Sequence, residues 1–208
     1  MALTYPISLP DTTSIQEVEF KPNSIVAVTK SEFTGSSQKH KHDGQWWTVR
    51  GVIIPKTKAD GQDWSGFFMS LNGSEGTFLF GDPHNTTAQG TASSAPGTPL
   101  VNGASQTGDQ LIMDGAPNNI TGYLLRGDWI QLGSAASARL YRIKEDANSN
   151  GSGEITLEIW PDLRSSPGNN DAITVASTLG VFQLTDAPSY RINADHIYIQ
   201  NFTAEEAI

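Results

Sequence analysis

Short extended segments separated by clusters of turn-forming residues dominate this sequence of 208 residues, which contains 20 glycines and 11 prolines. In one such segment, Ile155, Leu157 and Ile159 alternate with Thr156 and Glu158, the pattern of a strand with one buried and one solvated face. Many short strands between turns are typical of a β-sandwich or a small barrel. The sequence therefore predicts a mainly β fold.

The N-terminal part is predicted to begin with strands over residues 15–20 and 25–28, followed by a hairpin. The dipeptide Asp43-Gly44 lies between two extended runs and predicts a type I′ turn, because that turn needs positive φ at both central positions. Pro55 is predicted to end the second run, since proline has no N–H to donate to a neighbouring strand.

One helix is predicted after this hairpin. Residues 57–60 resemble a capping box, and the four apolar residues that follow share one helical face. Asn72-Gly73 is expected to end the helix with a left-handed cap, and Thr77–Phe80 is expected to return as a strand. The aromatic residues of this stripe could form a ligand platform, but a core stripe is the interpretation we favour. The stripe consists of Trp64, Phe67, Phe68 and Leu71.

A second β module is predicted beyond residue 81. Residues 81–108 are nearly all small, polar or turn-forming, and they predict an exposed connection. Strands are then predicted in LLRGDWIQLG, ARLYRIKED, EITLEIW, AITVAS and VFQLT. The C-terminal segment is again extended, with Ile197 and Ile199 opposing His196 and Tyr198.

Composition excludes several classes of function. The formal net charge is −9 and residues 59–125 contain no Lys or Arg, which argues against a nucleic-acid binder with a basic footprint. The absence of cysteine excludes disulfides, a thiol nucleophile and a cysteine zinc site. We expect neither a signal peptide nor a membrane span, because the sequence has no apolar run of sufficient length.

Two short motifs could bind cations. Asp146-x-Asn148-x-Asn150-Gly151 matches the first half of an EF-hand loop, but Leu157 stands where a bidentate Glu is needed, so a plain hairpin turn is favoured. His40-Lys41-His42-Asp43 would place two imidazoles on one strand face, with no third or fourth ligand identified. We favour a polar strand face here over a metal site.

Other patterns with functional associations are weaker. The tripeptide Arg126-Gly127-Asp128 spells an integrin-type motif, and we expect it to form a turn. Six carboxylates could supply a glycosidase pair, although no two are predicted to converge. They are Asp82, Asp109, Asp114, Glu145, Glu154 and Glu158. The sequence therefore predicts no catalytic, cofactor-binding or metal-binding residues and no cofactor.

Five tryptophans could stack on sugars, as in a carbohydrate-binding module. Trp64 belongs to the helix stripe, and Trp129 and Trp160 lie among strand apolar residues. Only the adjacent pair Trp46-Trp47 is predicted to send one ring outward, because neighbouring strand residues point to opposite faces. An outward ring could equally be a contact in an oligomer.

Five segments together resemble the distal tail proteins of phages with long, flexible, non-contractile tails. They are HKHDGQWWTVRGVIIP, DGQDWSGFFMSLNGSEGTFLFGDP, GTASSAPGTPLVNGASQTGDQL, GYLLRGDWIQLG and ARLYRIKEDANSNGSGEITLEIWPDLR. The likeness extends over most of the chain and includes no catalytic motif. It implies a β-sandwich ring domain with one flanking helix, formed by residues 1–81 and 182–208. An inserted small barrel, of oligonucleotide/oligosaccharide-binding or galectin type, would occupy residues 82–181.

The resemblance also implies a role in the virion, after synthesis in the host cytoplasm. Six copies would form a ring, with the tail tube protein on one face and the tail hub or central fibre proteins on the other. The barrel would contact side fibres or host sugars, and DNA would pass through the lumen without specific binding, aided by the acidic charge. The alternatives are another tail protein (tube or tail-completion), a monomeric sugar-binding module and a depolymerase.

Overall fold

A computed structural model describes residues 3–192 and 198–208 of the chain. Within these residues it contains two β-sheets, one α-helix and two short 3-10 helices at Thr91–Ser93 and Ala135–Ser137. The predicted mainly β class, with a sandwich-like unit, one flanking helix and a small barrel, is confirmed. The alternation predicted for the C-terminal segment includes His196 and Ile197, which lie outside the described residues. The strands are β1 (Ile15–Lys30), β2 (Ser37–Ile53), β3 (Thr77–Phe80), β4 (Leu100–Val101), β5 (Gln110–Asp114), β6 (Trp129–Leu132), β7 (Arg139–Ile143), β8 (Ile155–Trp160), β9 (Ile173–Thr174), β10 (Gly180–Leu184), β11 (Tyr190–Ile192) and β12 (Tyr198–Glu206).

The first sheet has the order β1-β2-β12-β10-β3, with β11 paired to β12, and one face of it carries the helix α1 (Lys58–Ser70). The predicted capping box is present: Thr57 Oγ1 accepts from Asp60 N at 3.2 Å, and Asp60 Oδ2 accepts from Thr57 N at 3.0 Å. The predicted apolar stripe of α1 is buried and packs on aromatic residues of the sheet. The helix stripe is therefore core, as favoured from the sequence.

The second sheet has the order β4-β5-β8-β7-β6-β9 and curls into a nearly closed barrel. Its two ends meet through backbone hydrogen bonds from Val101 N to Asp171 O and from Ile173 N to Pro99 O. A separate apolar core that includes Leu111, Leu157 and Ile159 fills it. Because all six strands lie between β3 and β10 in the sequence, the barrel interrupts the chain of the first sheet.

Two N-terminal predictions are wrong. The two predicted strands at 15–20 and 25–28 form one strand, β1, which accommodates Pro22 because β1 lies at the edge of the sheet. The predicted turn at Asp43-Gly44 is absent, since β2 runs through both residues and neither has positive φ. The turn lies instead at residues 31–36, where Ser31 N donates to Ser36 O at 2.8 Å.

Asp43-Gly44 lies at an irregularity in the pairing of β1 with β2. Ser24 is opposite Gln45, whereas Val26 is opposite Lys41, so β2 uses more residues than β1 between these pairs. The dipeptide therefore forms a bulge rather than a turn, because long-range pairing with β1 outweighs its local turn preference.

The glycine- and serine-rich tract 81–108 is more ordered than the sequence predicts. Ala88, Ala92 and Val101 are buried in the barrel core, and β4 belongs to the barrel sheet. The segment VFQLT, expected in the second module, lies in β10 of the first sheet, where Gly180 pairs with Phe80. Strand β10 thus extends across the predicted boundary between residues 181 and 182.

The two sheets share a packed junction. Trp129 and Leu140 of the barrel sheet belong to the core of the first sheet, and Trp47 Nε1 donates to Leu140 O at 3.2 Å. The buried carboxylate of Glu206 on β12 accepts from the guanidinium of Arg164, which follows β8, at 2.5 Å. Apolar packing and an ion pair therefore join the two parts of the chain.

Candidate self-association surface

The outer halves of β1 and β2 form a two-stranded projection, residues 24–44, which we call the arm. Strand β12 pairs with β2 from Thr48 to Ile53 and so provides no third strand beside the arm. Between Ser24 and Lys30 every side chain is exposed. A two-stranded ribbon of this kind has little independent stability in water, and a third strand or a packing partner is needed to stabilise it.

Large apolar side chains are exposed along the arm. Val28 is 59% exposed and Phe33, at the tip, is 99% exposed, while Ile25 and Val26 are each nearly half exposed. Adjacent exposed apolar residues are typical of a surface that contacts another protein. The sequence interpretation missed this surface, although Ile25 to Val28 could have indicated it, because that apolar run leads into a polar turn.

The base of the arm is held against the barrel. Lys41 Nζ lies 2.7 Å from Asp162 Oδ2, and Asp162 N donates to the buried Gln45 Oε1 at 2.7 Å. Gly44 gives the bulge its close packing, because a Cβ at this position would lie 2.6 Å from Ile25 Cδ1. The base of the arm is therefore joined to the barrel, whereas Phe33 at its tip is 99% exposed.

Strand β1 also presents an open sheet edge. The opposite edge, β3, is covered by the N-terminal segment, because Ile7 N donates to Thr77 O and Leu79 N donates to Ile7 O. Along β1, no described strand pairs on the side away from β2. An open edge of this length is a template for pairing with a strand of another chain. Pro22 limits such pairing, because proline has no backbone N–H.

The arm differs from the body in charge. It carries three lysines against two acidic residues, in a chain with a net charge of −9 and no cation between residues 59 and 125. Opposite charge steers association and fixes the register of partners. The formal charge of the arm is therefore +1, although Lys41 is already paired with Asp162.

The integrin-like tripeptide is structural. Asp128 is fully buried, and its carboxylate accepts from Gln89 N and Leu125 N, both at 2.8 Å, and from Gly90 N at 3.3 Å. These bonds connect the start of the barrel tract to β6. The carboxylate is not available to a receptor.

The predicted calcium-like loop uses its oxygens internally. Asp146 Oδ1 accepts from Arg126 N, Asn148 Oδ1 from Gly122 N, and Asn150 Oδ1 from the backbone of the loop. Over residues 3–192 and 198–208, no group of three or more His, Cys, Asp or Glu side chains is placed to hold a metal ion. The loop has the features of the favoured hairpin turn.

The structure brings two of the six candidate carboxylates together. Asp109 Oδ2 and Glu158 Oε2 lie 2.6 and 3.4 Å from Lys144 Nζ. The hydrogen bond from Lys144 lowers the pKa of Asp109, whereas a glycosidase acid needs a raised pKa. This cluster has the electrostatics of an ion-pair network. The other four carboxylates, Asp82, Asp114, Glu145 and Glu154, do not join it.

The tryptophans are mostly core residues. Trp47, Trp64 and Trp129 are buried, whereas Trp46 is half-buried on the other face of β2, as the alternation predicts. Trp160 is also half-buried, and its ring centroid lies 4.3 Å from that of Trp47.

A cleft beside Trp160 was not predicted. It has a volume of about 410 Å³ and is lined by Phe20, Pro22, Trp160 and Arg142, whose guanidinium stacks on Trp129 at 4.7 Å. These residues lie far apart in the sequence, so no local pattern could have indicated the cleft.

No protein-family model and no curated protein matches this chain. The likeness to distal tail proteins therefore stays a prediction made from the sequence. Within the described residues, no helix has both the length and the apolarity needed to cross a membrane.

Proposed function

We propose that this chain is a structural subunit of a phage tail tip, of the distal tail protein type, which assembles into a ring of six copies. The observation that carries the proposal is the arm, with its exposed apolar side chains beside an open sheet edge. The number of copies, and the tail tube and hub or fibre partners on the two faces of the ring, come from the sequence resemblance alone.

The dimensions of the arm support contact between neighbouring copies. At a rise of roughly 3.3 Å per residue, the strands of the arm are about 20 Å long, enough to contact an adjacent subunit. Burial of Val28 and Phe33 would contribute about 1.5–3 kcal/mol for each side chain before entropic costs. The acidic body would provide the opposite charge and a lumen wall that does not retain DNA.

The first prediction concerns the arm tip. We expect Val28→Ser with Phe33→Ser to shift the full chain from a ring-sized assembly to monomer in light scattering with mass measurement. Ile112→Ser is the matched control, since Ile112 is an exposed apolar residue on the barrel, 44% accessible. The proposal would be contradicted if the double variant formed assemblies of unchanged mass. It would also be contradicted if the wild-type chain stayed monomeric at high concentration even when tail partners were added.

A sugar-binding module is the second candidate, favoured by the cleft that holds Trp160 and Arg142. An aromatic ring beside a guanidinium is suited to a sugar ring with polar substituents. Binding of host polysaccharide by a monomeric wild-type chain, lost in Trp160→Ala, would favour this function over ring formation. Release of reducing ends from that polysaccharide would instead indicate a depolymerase.

A further inference from the structure

The arm carries two neighbouring histidines whose rings are nearly perpendicular to each other. The ring centroids of His40 and His42 lie 4.9 Å apart, with an angle of 83° between the ring planes. Both side chains are exposed.

Strand geometry places the two imidazoles on one face of the arm. Alternate residues of a strand point to the same side, so His40 and His42 share a face and Lys41 points to the other, where it pairs with Asp162. The residue opposite His40 on β1 is Ala27, which has a small side chain. The lysine nearest in sequence thus lies away from the imidazoles.

The separation of the rings fits chelation of one metal ion. Two imidazoles bound to zinc at about 2.0–2.1 Å, at angles between square and tetrahedral, have centroids roughly 5 Å apart. We propose that His40 and His42 together chelate one divalent transition-metal ion of the kind that imidazole binds, with Zn²⁺ as the ion used in the test.

The site would be open rather than closed. Since the described residues supply no third side-chain ligand from the same chain, the remaining coordination positions would hold water or a donor from another molecule. His40 lies on the face of the arm opposite to Val26 and Val28, which share the face of Lys41. The proposal therefore does not depend on ring formation.

Equilibrium dialysis of the full chain against Zn²⁺ at slightly alkaline pH tests this site. We expect the wild type to bind about one zinc ion that His40→Ala and His42→Ala each lose as completely as the double variant, because one imidazole cannot chelate. His84→Ala is the matched control, since His84 is an exposed histidine without a ring partner in the described chain. It should retain the ion.

Besides a wild-type chain that binds no zinc, two results would overturn the proposal. One is unchanged zinc binding in the double variant, and the other is a loss of only half the binding in each single variant, which would indicate two independent histidines. Circular dichroism and thermal melting would verify that each variant is folded. Mass measurement with and without zinc distinguishes the metal site from ring formation. A monomer that chelates zinc would contradict the proposed ring but would support the metal site.

Discussion

At the scale of single residues, the barrel uses buried polar groups as fixed attachments. Tyr123 is fully buried, and its hydroxyl donates to Pro96 O at 2.5 Å. Asp128 has the same role with three backbone N–H groups. Both side chains tie the glycine-rich tract to the barrel, because a buried polar group is stable only when it is hydrogen-bonded.

Tyr123 gives a prediction for alkaline pH. Burial raises its pKa from 10.0 to about 12. The unfolded chain loses this proton near pH 10 while the folded chain keeps it, so the stabilisation is complete below pH 10 and is lost as pH rises toward 12. The loss should approach about 2–3 kcal/mol of unfolding free energy. Urea unfolding of the wild type and of Tyr123→Phe between about pH 9 and pH 12 tests this prediction. If the free energies of unfolding of the two proteins changed with pH in the same way, the pKa of Tyr123 would not be raised.

At the scale of elements, α1 is the segment most fully specified by its own sequence. Thr57 and Asp60 satisfy each other's backbone donors at its N-terminus, and Asn72 (φ 49°) and Gly73 (φ 70°) follow its C-terminus in the left-handed region. The apolar stripe between these ends faces the sheet. The helix therefore begins, packs and ends at positions set by local chemistry.

The capping box can be tested by a double-mutant cycle. We expect Thr57→Ala to reduce the unfolding free energy by about 1 kcal/mol, since Asp60 N loses its acceptor. Asp60→Ala should cost a similar or smaller amount, and the double variant should cost less than the sum because the two bonds are coupled. Additive losses in chemical denaturation would show that the two side chains act independently.

The strands explain why the course of β1 and β2 and the cleft could not be predicted in the way that the helix was. Asp43-Gly44 carries a local turn signal, but its conformation is decided by pairing with β1. Closure of the barrel depends on residues 99–101 meeting residues 171–173, and the approach of Asp109 to Lys144 depends on how β5, β8 and β7 align. These contacts join distant parts of the sequence, whereas alternation within one strand indicates only which face is buried.

At the scale of the whole molecule, the two sheets are energetically connected. Glu206 is buried, and its carboxylate accepts from the Arg164 guanidinium across the junction and from Trp47 N at 3.3 Å. Removing one partner of a buried pair leaves the other charge without compensation. The junction therefore depends on both members.

We expect Glu206→Ala to reduce the unfolding free energy by about 3–5 kcal/mol. Replacing both residues, with Arg164→Met and Glu206→Met, should recover part of this loss, because no isolated charge remains although Trp47 N loses its acceptor. Glu19→Ala is the control: it breaks the exposed Arg50–Glu19 pair, with 3.9 Å between charged atoms, and should cost less than about 1 kcal/mol. Equal losses in Glu206→Ala and Glu19→Ala would refute a structural role for the buried pair.

The chain leaves the first sheet after Phe80 and re-enters it at Gly180, and these two residues are hydrogen-bonded neighbours on adjacent strands. At the level of the backbone, the intervening hundred or so residues are thus a cassette whose two ends nearly touch, the arrangement in which excision or exchange of a module is best tolerated. Such an exchange would also remove two side chains from the core of the first sheet. Trp129 and Leu140 belong to the inserted segment but pack in the same core as Trp47. Any replacement module would have to supply side chains of its own that bury the indole ring of Trp47.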